Sequence, residues 1–227
     1  MTTTAPPTAD LGPVLYDGLL DSARRSRRCP VWLAPATLER IGRRAPRPIP
    51  VPTVVRTGAR QILTDWWPGP CPLRCGCRDP FVGAFPPRLV RAGSDRSTFR
   101  GTRRAAVGFA AEVGSWSSLA VLDAVRPADV PAALGWAADA ERDPLAVATV
   151  LRSWESRFGA LLVHVGETAL LLSVADPPVT DDECLHVAAE HLAFCPDRTD
   201  PWTGAEHTLR SYADSIRGAR RWRFRWD

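Results

Sequence analysis

Near its C-terminus the sequence sets a histidine and a cysteine four residues apart, His191 and Cys195, with Glu190 just before and Asp197 just after. An imidazole beside a thiol lowers the thiol pKa and generates the thiolate, which is both a nucleophile and a metal ligand. Cys195 as nucleophile, His191 as base and Asp197 or Glu190 as the group orienting the imidazole would make a thiol-dependent hydrolase or transferase. On a helix Glu190 points about 100° away from His191, so Asp197 is the more direct partner. A separation of four also suits two metal ligands on one helix, and Cys184 or His186 would extend that set, but a convincing third and fourth ligand are missing. A second thiol group, Cys71, Cys75 and Cys77, forms a C-x3-C-x-C run among Pro68, Gly69, Pro70, Pro72 and Gly76. Zinc usually needs two such pairs converging tetrahedrally. Here the second is absent, Cys29 is the only other cysteine in that half, and the histidines stand far off at 164, 186, 191 and 207. Loop thiols and no cofactor are the expectation, with zinc at Cys71, Cys75 and Cys77 as the alternative. No Gly-rich phosphate loop, serine elbow or paired-carboxylate motif is present.

The elements around these residues weigh against reactivity. Thr180 and Glu183 form a T-x-x-E capping box that opens a helix over 181–194. Cys184, Ala188, His191 and Cys195 share one stripe of it, while Leu185, Ala188, Ala189 and Leu192 make its core face. A His and a Cys at the margin of such a face are more commonly packed than reactive, and Pro196 stops the helix and makes Asp197 a turn residue. Upstream, Asp143-Pro144 starts a helix whose Val147, Leu151, Trp154 and Phe158 recur on one face until Gly159. Glu155 and Arg157 lie on its polar side, available to pair with another element. Two apolar runs over 160–165 and 169–174 flank a short turn and predict a hairpin. A second box at Thr203 and Glu206 predicts a helix to about 216. The final Arg-aromatic alternation predicts a strand with Trp222, Phe224 and Trp226 inward, and with Trp154 and Phe158 these read as core.

Further forward, 105–110 and 118–122 have strand length, and Arg126-Pro127-Ala128-Asp129 leads into a helix over 130–136. Residues 1–12 read as a disordered tail and 13–25 as a helix. From 30 to 87 the chain holds 12 prolines, which argues for loops, short turns and extended pieces at 51–55 and 61–64 rather than long helices or regular central strands. The fold class is α+β or α/β, a mixed sheet covered by helices behind a Pro- and Arg-rich, loop-heavy N-terminal half. The division is a tail (1–12), an N-terminal region packing on or leading into the main domain (13–104) and a core domain (105–227).

Composition supports a globular chain: 227 residues, 45% hydrophobic and 24% charged. No membrane span or secretory signal is visible, so a cytoplasmic location is expected. All 29 basic residues are arginine and there is no lysine or asparagine, a bias of GC-rich genomes rather than of function. The net +4 conceals an asymmetry. Residues 1–104 carry 18 Arg against 7 acids (+11), and residues 105–227 carry 11 against 18 (−7). Arginine clusters at 24–28 and 43–47 suggest nucleic acid, but without a helix-turn-helix pattern or stacking aromatics the simpler reading is that the two halves attract each other, or that the basic half is loop-rich and solvated.

Several segments together point to a family. They are the Leu151–Ala160 stretch with Trp154, Glu155, Arg157 and Gly159, then Pro177-Pro178, the Glu190-His191-Leu-Ala-Phe194-Cys195-Pro196-Asp197 string, Tyr212-Ala213 and the terminal Trp222-x-Phe224-x-Trp226-Asp227. In order and spacing they resemble the bacterial domain of unknown function 4253 family over about 115–227. Two positions depart from the family pattern: Arg198 stands where Asn is usual, and Arg225 where a further Trp is usual. The resemblance implies a small α/β-type domain of bacterial origin and no established activity. The leading functional expectation is therefore a non-enzymatic protein-interaction or binding domain, whose acidic C-terminal half suits a basic protein partner as an antitoxin would. The thiol enzyme built on Cys195 and His191 is the alternative, and nucleic-acid binding through the Arg-rich half comes last.

Overall fold

In chain order the helices and strands of the computed structural model are α1 (Leu11–Ser26), β1 (Arg28–Leu33), α2 (Pro35–Arg43), α3 (Ala59–Asp65), α4 (Arg96–Val113), β2 (Ser118–Asp123), a 3-10 turn (Pro127–Asp129) leading into α5 (Val130–Leu134), α6 (Pro144–Phe158), β3 (Ala160–Val165), β4 (Ala169–Val174), α7 (Asp181–Phe194), α8 (Leu209–Ile216) and β5 (Arg221–Arg225). The structure describes residues 11–43, 58–71, 76–81, 83–86, 96–136, 142–196 and 208–226.

The five strands form one mixed sheet in the order β2-β1-β3-β4-β5. Only β1 and β3 run parallel; β1 with β2, β3 with β4 and β4 with β5 are antiparallel. Helices cover both faces. On one, Tyr16 and Leu20 of α1 and Ala106, Ala110 and Val113 of α4 pack on Trp32, Leu161 and Val163. On the other, α5, α6, α7 and α8 bury Val147, Leu151, Trp154, Val187 and Ala213 against Val31, Leu162, Leu172, Trp222 and Phe224. This is an α+β layering of helices on a mixed sheet.

Several elements follow from local rules. Asp143 caps α6 by accepting from the Leu145 N–H, Pro144 pre-sets its first turn, and Gly159 closes it at φ 57°. Strands β3 and β4 form the expected hairpin. In β5, Trp222 and Phe224 are buried while Arg221, Arg223 and Arg225 are exposed, the alternation that a half-buried strand requires.

Other elements differ from expectation. The 105–110 run lies inside α4. Thr102, Ala106, Ala110 and Val113 are its buried positions, a helical period that short alanine-rich runs conceal. Residues 61–64 belong to α3, with Ile62 and Leu63 buried. The proline rule missed β1. Pro30 sits in it, but the parallel ladder to β3 covers only Trp32 with His164 and Leu33 with Val165, so the missing N–H falls outside that ladder. The extended piece at 51–55 and the Thr203–Glu206 box lie outside the described residues. Helix α8 opens instead at a reciprocal box of Thr208 and Ser211. On α7 the buried stripe is rotated from expectation: Cys184, Val187, His191 and Phe194 are fully buried, whereas Leu185 and Leu192 are only partly so.

The charge asymmetry has a structural counterpart. Arg24 lies 3.8 Å from Glu155, and Arg27 3.9 Å from Asp123, each pairing a front-half cation with a back-half acid. Arg103 of α4 binds Asp17 of α1 at 2.6 Å and also Asp21, joining the two helices of one layer.

Gly159 supplies a test of this packing. A Cβ there would stand 2.5 Å from Thr102 Oγ1 and 3.1 Å from the Ala175 Cβ, on a left-handed backbone. Gly159→Ala is expected to cost roughly 2–4 kcal/mol. Gly108→Ala, mid-helix in α4 with open space at its Cβ, is expected to gain about 0.5–1 kcal/mol. Urea unfolding of both variants measures the contrast.

Candidate functional site

Trp154 and Arg157 are three residues apart on α6 and so share a face, which looks onto Glu190 of α7. The Arg157 guanidinium donates from Nη1 to Glu190 Oε1 at 2.8 Å and from Nη2 to Oε2 at 2.5 Å, and Trp154 Nε1 donates to Oε2 at 2.7 Å. Arg157 is 5% exposed and Glu190 6%. A fork-on-carboxylate pair with a third donor is the geometry that lets two charges leave water together.

His191, the next residue on α7, is completely buried. Its ring meets Trp222 at 4.4 Å, Trp154 at 4.9 Å and Phe224 at 4.9 Å, each edge-on, and its Nδ1 lies 2.9 Å from the Tyr212 hydroxyl of α8. Trp154 stacks on Phe224 at 5.2 Å and 12°. The helix ends at Phe194, and Cys195 has left helical backbone (φ −139°, ψ 86°). Its thiol, 1% exposed, donates to the Arg225 carbonyl at 3.0 Å and ties the end of α7 to β5. Arg142 donates from Nε to the Phe194 carbonyl at 3.0 Å and from Nη2 to the Ala193 carbonyl at 3.3 Å, placing a cation on the last turn of α7.

Trp154, Arg157, Glu190, His191, Phe194, Cys195, Tyr212, Trp222 and Phe224 are among the residues on which the family resemblance rests. Residues 118–227 match the family described as Domain of unknown function (DUF4253). No curated protein and no solved structure matches the chain. The DUF4253 match begins at the first residue of β2 and leaves out α1, β1 and α4. Two of its strands, β2 and β3, are therefore neighbours only through β1, which comes from outside it.

Of the four residues singled out as a thiol site, Glu190, His191 and Cys195 are all buried within the DUF4253 region, and Asp197 lies outside the described residues. Glu190 serves Arg157 and Trp154 rather than the imidazole. Cys184 is buried, and burial pushes its thiol pKa up. His186 turns its Nδ1 to the Asp182 carbonyl at 2.7 Å. Cys71 and Cys77 are partly exposed and Cys75 lies outside the described residues. Among the described residues no group of three or more His, Cys, Asp and Glu is placed to hold a metal ion. No helix among them is long and apolar enough to cross a membrane. Glu155 pairs loosely with Arg24 and Arg126, at 3.8 and 3.9 Å, and burial pushes its carboxyl pKa up.

Sequence reasoning passed over Arg142 and a second buried polar group, His164. His164, on β3, is 4% exposed, and neither of its ring nitrogens has a hydrogen-bond partner among the described residues. Burial first and the Arg223 charge second bring its pKa from 6.5 down to about 4. A histidine inside the otherwise apolar run of β3 is the one sequence signal that could have marked it.

Two outcomes follow. Glu190→Ala strands the Arg157 charge and is expected to cost about 3–5 kcal/mol by urea unfolding, while replacing Glu190 and Arg157 together with Met and Leu recovers most of that loss. Because the folded pKa of His164 lies below 6.5, the unfolded chain takes its proton first as pH falls. The stability carried by the neutral ring is complete above about pH 6.5 and lost toward pH 4, by about 3 kcal/mol. His164→Phe should flatten the wild-type stability profile across that window by this amount.

Proposed function

We propose that this chain is a non-catalytic binding and protein-interaction module. The observation that carries the reading is the enclosure of His191 and Cys195. A nucleophilic thiol must reach substrate and a general base must reach the thiol, but His191 is wrapped by Trp154, Trp222 and Phe224, and the Cys195 thiol is turned to a backbone carbonyl. In this reading the network built on Glu190 is the architecture of the domain, and the work is done at its surface.

A basic protein partner fits that surface. Asp181, Asp182 and Asp214 have side chains 87%, 75% and 74% exposed, and they cluster at the start of α7 and on α8 beside Arg217. An acidic patch of this kind steers a positively charged partner and would suit an antitoxin-like neutraliser. The front-half arginines suit nucleic acid less well, since Arg24 and Arg27 face Glu155 and Asp123.

Cysteine-resolved labelling of the native protein near neutral pH tests the reading. Cys71 and Cys77, partly exposed, should be modified readily, and Cys195 only on unfolding. Labelling of native Cys195 as fast as Cys71 would overturn the non-catalytic reading in favour of a thiol enzyme.

A further inference from the structure

His164 stands next to Trp32, its register partner on the parallel strand β1, and both are the second-last residues of their strands. Trp32 belongs to the layer under α1 and α4, and His164 is registered with Leu171, which packs against the same layer. The bulge between Leu162 and His164 re-aims this end of β3, as bulges beside functional sites do.

At this place three residues hold shielded polar atoms without a hydrogen-bond partner among the described residues: both ring nitrogens of His164, Nε1 of Trp32 and Oγ of Ser117. Folded proteins leave few such atoms, and each calls for an explanation. The position supplies one. Beyond the carboxyl ends of β1 and β3, β1 runs into α2 while β3 turns back through 166–168 into β4, and the Ala34 N–H still donates to the Val165 carbonyl at 3.1 Å. This is the carboxyl end of the parallel pair β1 and β3, the end at which open sheets hold their ligands.

The walls are aromatic, and one of them is held rigidly. A Cβ on Gly114 would stand 2.8 Å from the Trp32 Cη2 and one on Gly12 3.1 Å from it, so backbone clamps the indole in place. Trp116, two residues beyond Gly114, lays its ring edge-on to His164 at 4.7 Å yet remains 52% exposed. It lies between the histidine and solvent.

Chemistry narrows the guest. A neutral imidazole offers one donor and one acceptor, the indole N–H one donor, and the serine hydroxyl both. Arg223, whose charge reaches His164, disfavours a cation. We propose that Trp32, His164, Trp116 and Ser117 bind a planar nitrogen heterocycle of the nucleobase type, carrying donor and acceptor on one edge, with Trp116 as its cover. This site is separate from the Cys195 region, so the proposal stands or falls independently of the non-catalytic reading.

The test titrates the full chain with adenosine, guanosine, cytidine and uridine and with their 5′-monophosphates, read by ligand-observed NMR and calorimetry. Saturable binding of at least one probe is expected, weakened tenfold or more in both Trp116→Ala and His164→Phe. Trp116 is half exposed, so Trp116→Ala retains the fold and remains informative if His164→Phe does not. No saturable binding of any probe up to about 5 mM, or binding that folded Trp116→Ala leaves unchanged, overturns the proposal.

Discussion

Glu190 and Arg157 carry opposite charges into the aromatic layer between α6, α7 and β5, and neither is tolerable there without the other. Their pairing sets how α6 and α7 sit on the sheet, because a fork-on-carboxylate contact allows little sliding or rotation. Trp154, held by its own bond to Glu190, then becomes the plane on which Phe224 stacks and around which His191, Phe194 and Trp222 arrange their edges. An apolar replacement of the pair could be as stable, but it would specify that geometry less tightly. The pair ties α6 to α7 in the layer where His191 and Cys195 are buried.

Much of this was legible from local rules. Asp143-Pro144, the apolar period through Phe158 and the glycine at 159 define α6 before any tertiary contact is considered. The alternation at the C-terminus gives β5 with Trp222 and Phe224 inward. The network itself was half-legible. Arg157 falls three residues after Trp154, on the side facing the core rather than on a solvated face, and Glu190 sits in the part of α7 that carries little polar surface beyond its acidic first turn. Their pairing across 33 residues needs the fold. The misreadings share a cause: short apolar runs such as 105–110 and 61–64 satisfy helix and strand alike, and packing decides between them. Likewise Pro30 argues against a strand only where its N–H is needed.

The two faces of the sheet are organised on different terms. Under α6 and α7, the Glu190 carboxylate has a donor on each oxygen, and the result is a closed, interlocked layer. Buried polar atoms without a hydrogen-bond partner among the described residues occur on both faces, Trp222 Nε1 and Trp226 Nε1 on this one and those of His164 and Trp32 under α1 and α4, but the latter stand beside the exposed Trp116. The proposed ligand site therefore falls on the face where the unpartnered atoms lie beside a solvent-exposed ring.

The position of β1 in the sheet reaches beyond packing. A strand from residues 28–33 lies between strands that begin at 118 and 160, so the sheet interleaves the two halves of the chain rather than joining them end to end. During synthesis the first half emerges with a strand that has no permanent neighbours until more than half the protein has been made. A chain severed in the short loop between α4 and β2 would yield one fragment holding β1 and another holding β2, β3, β4 and β5, the first supplying the strand that joins β2 to β3 in the second. The molecule is then better regarded as two complementary pieces on one string than as a domain with an extension.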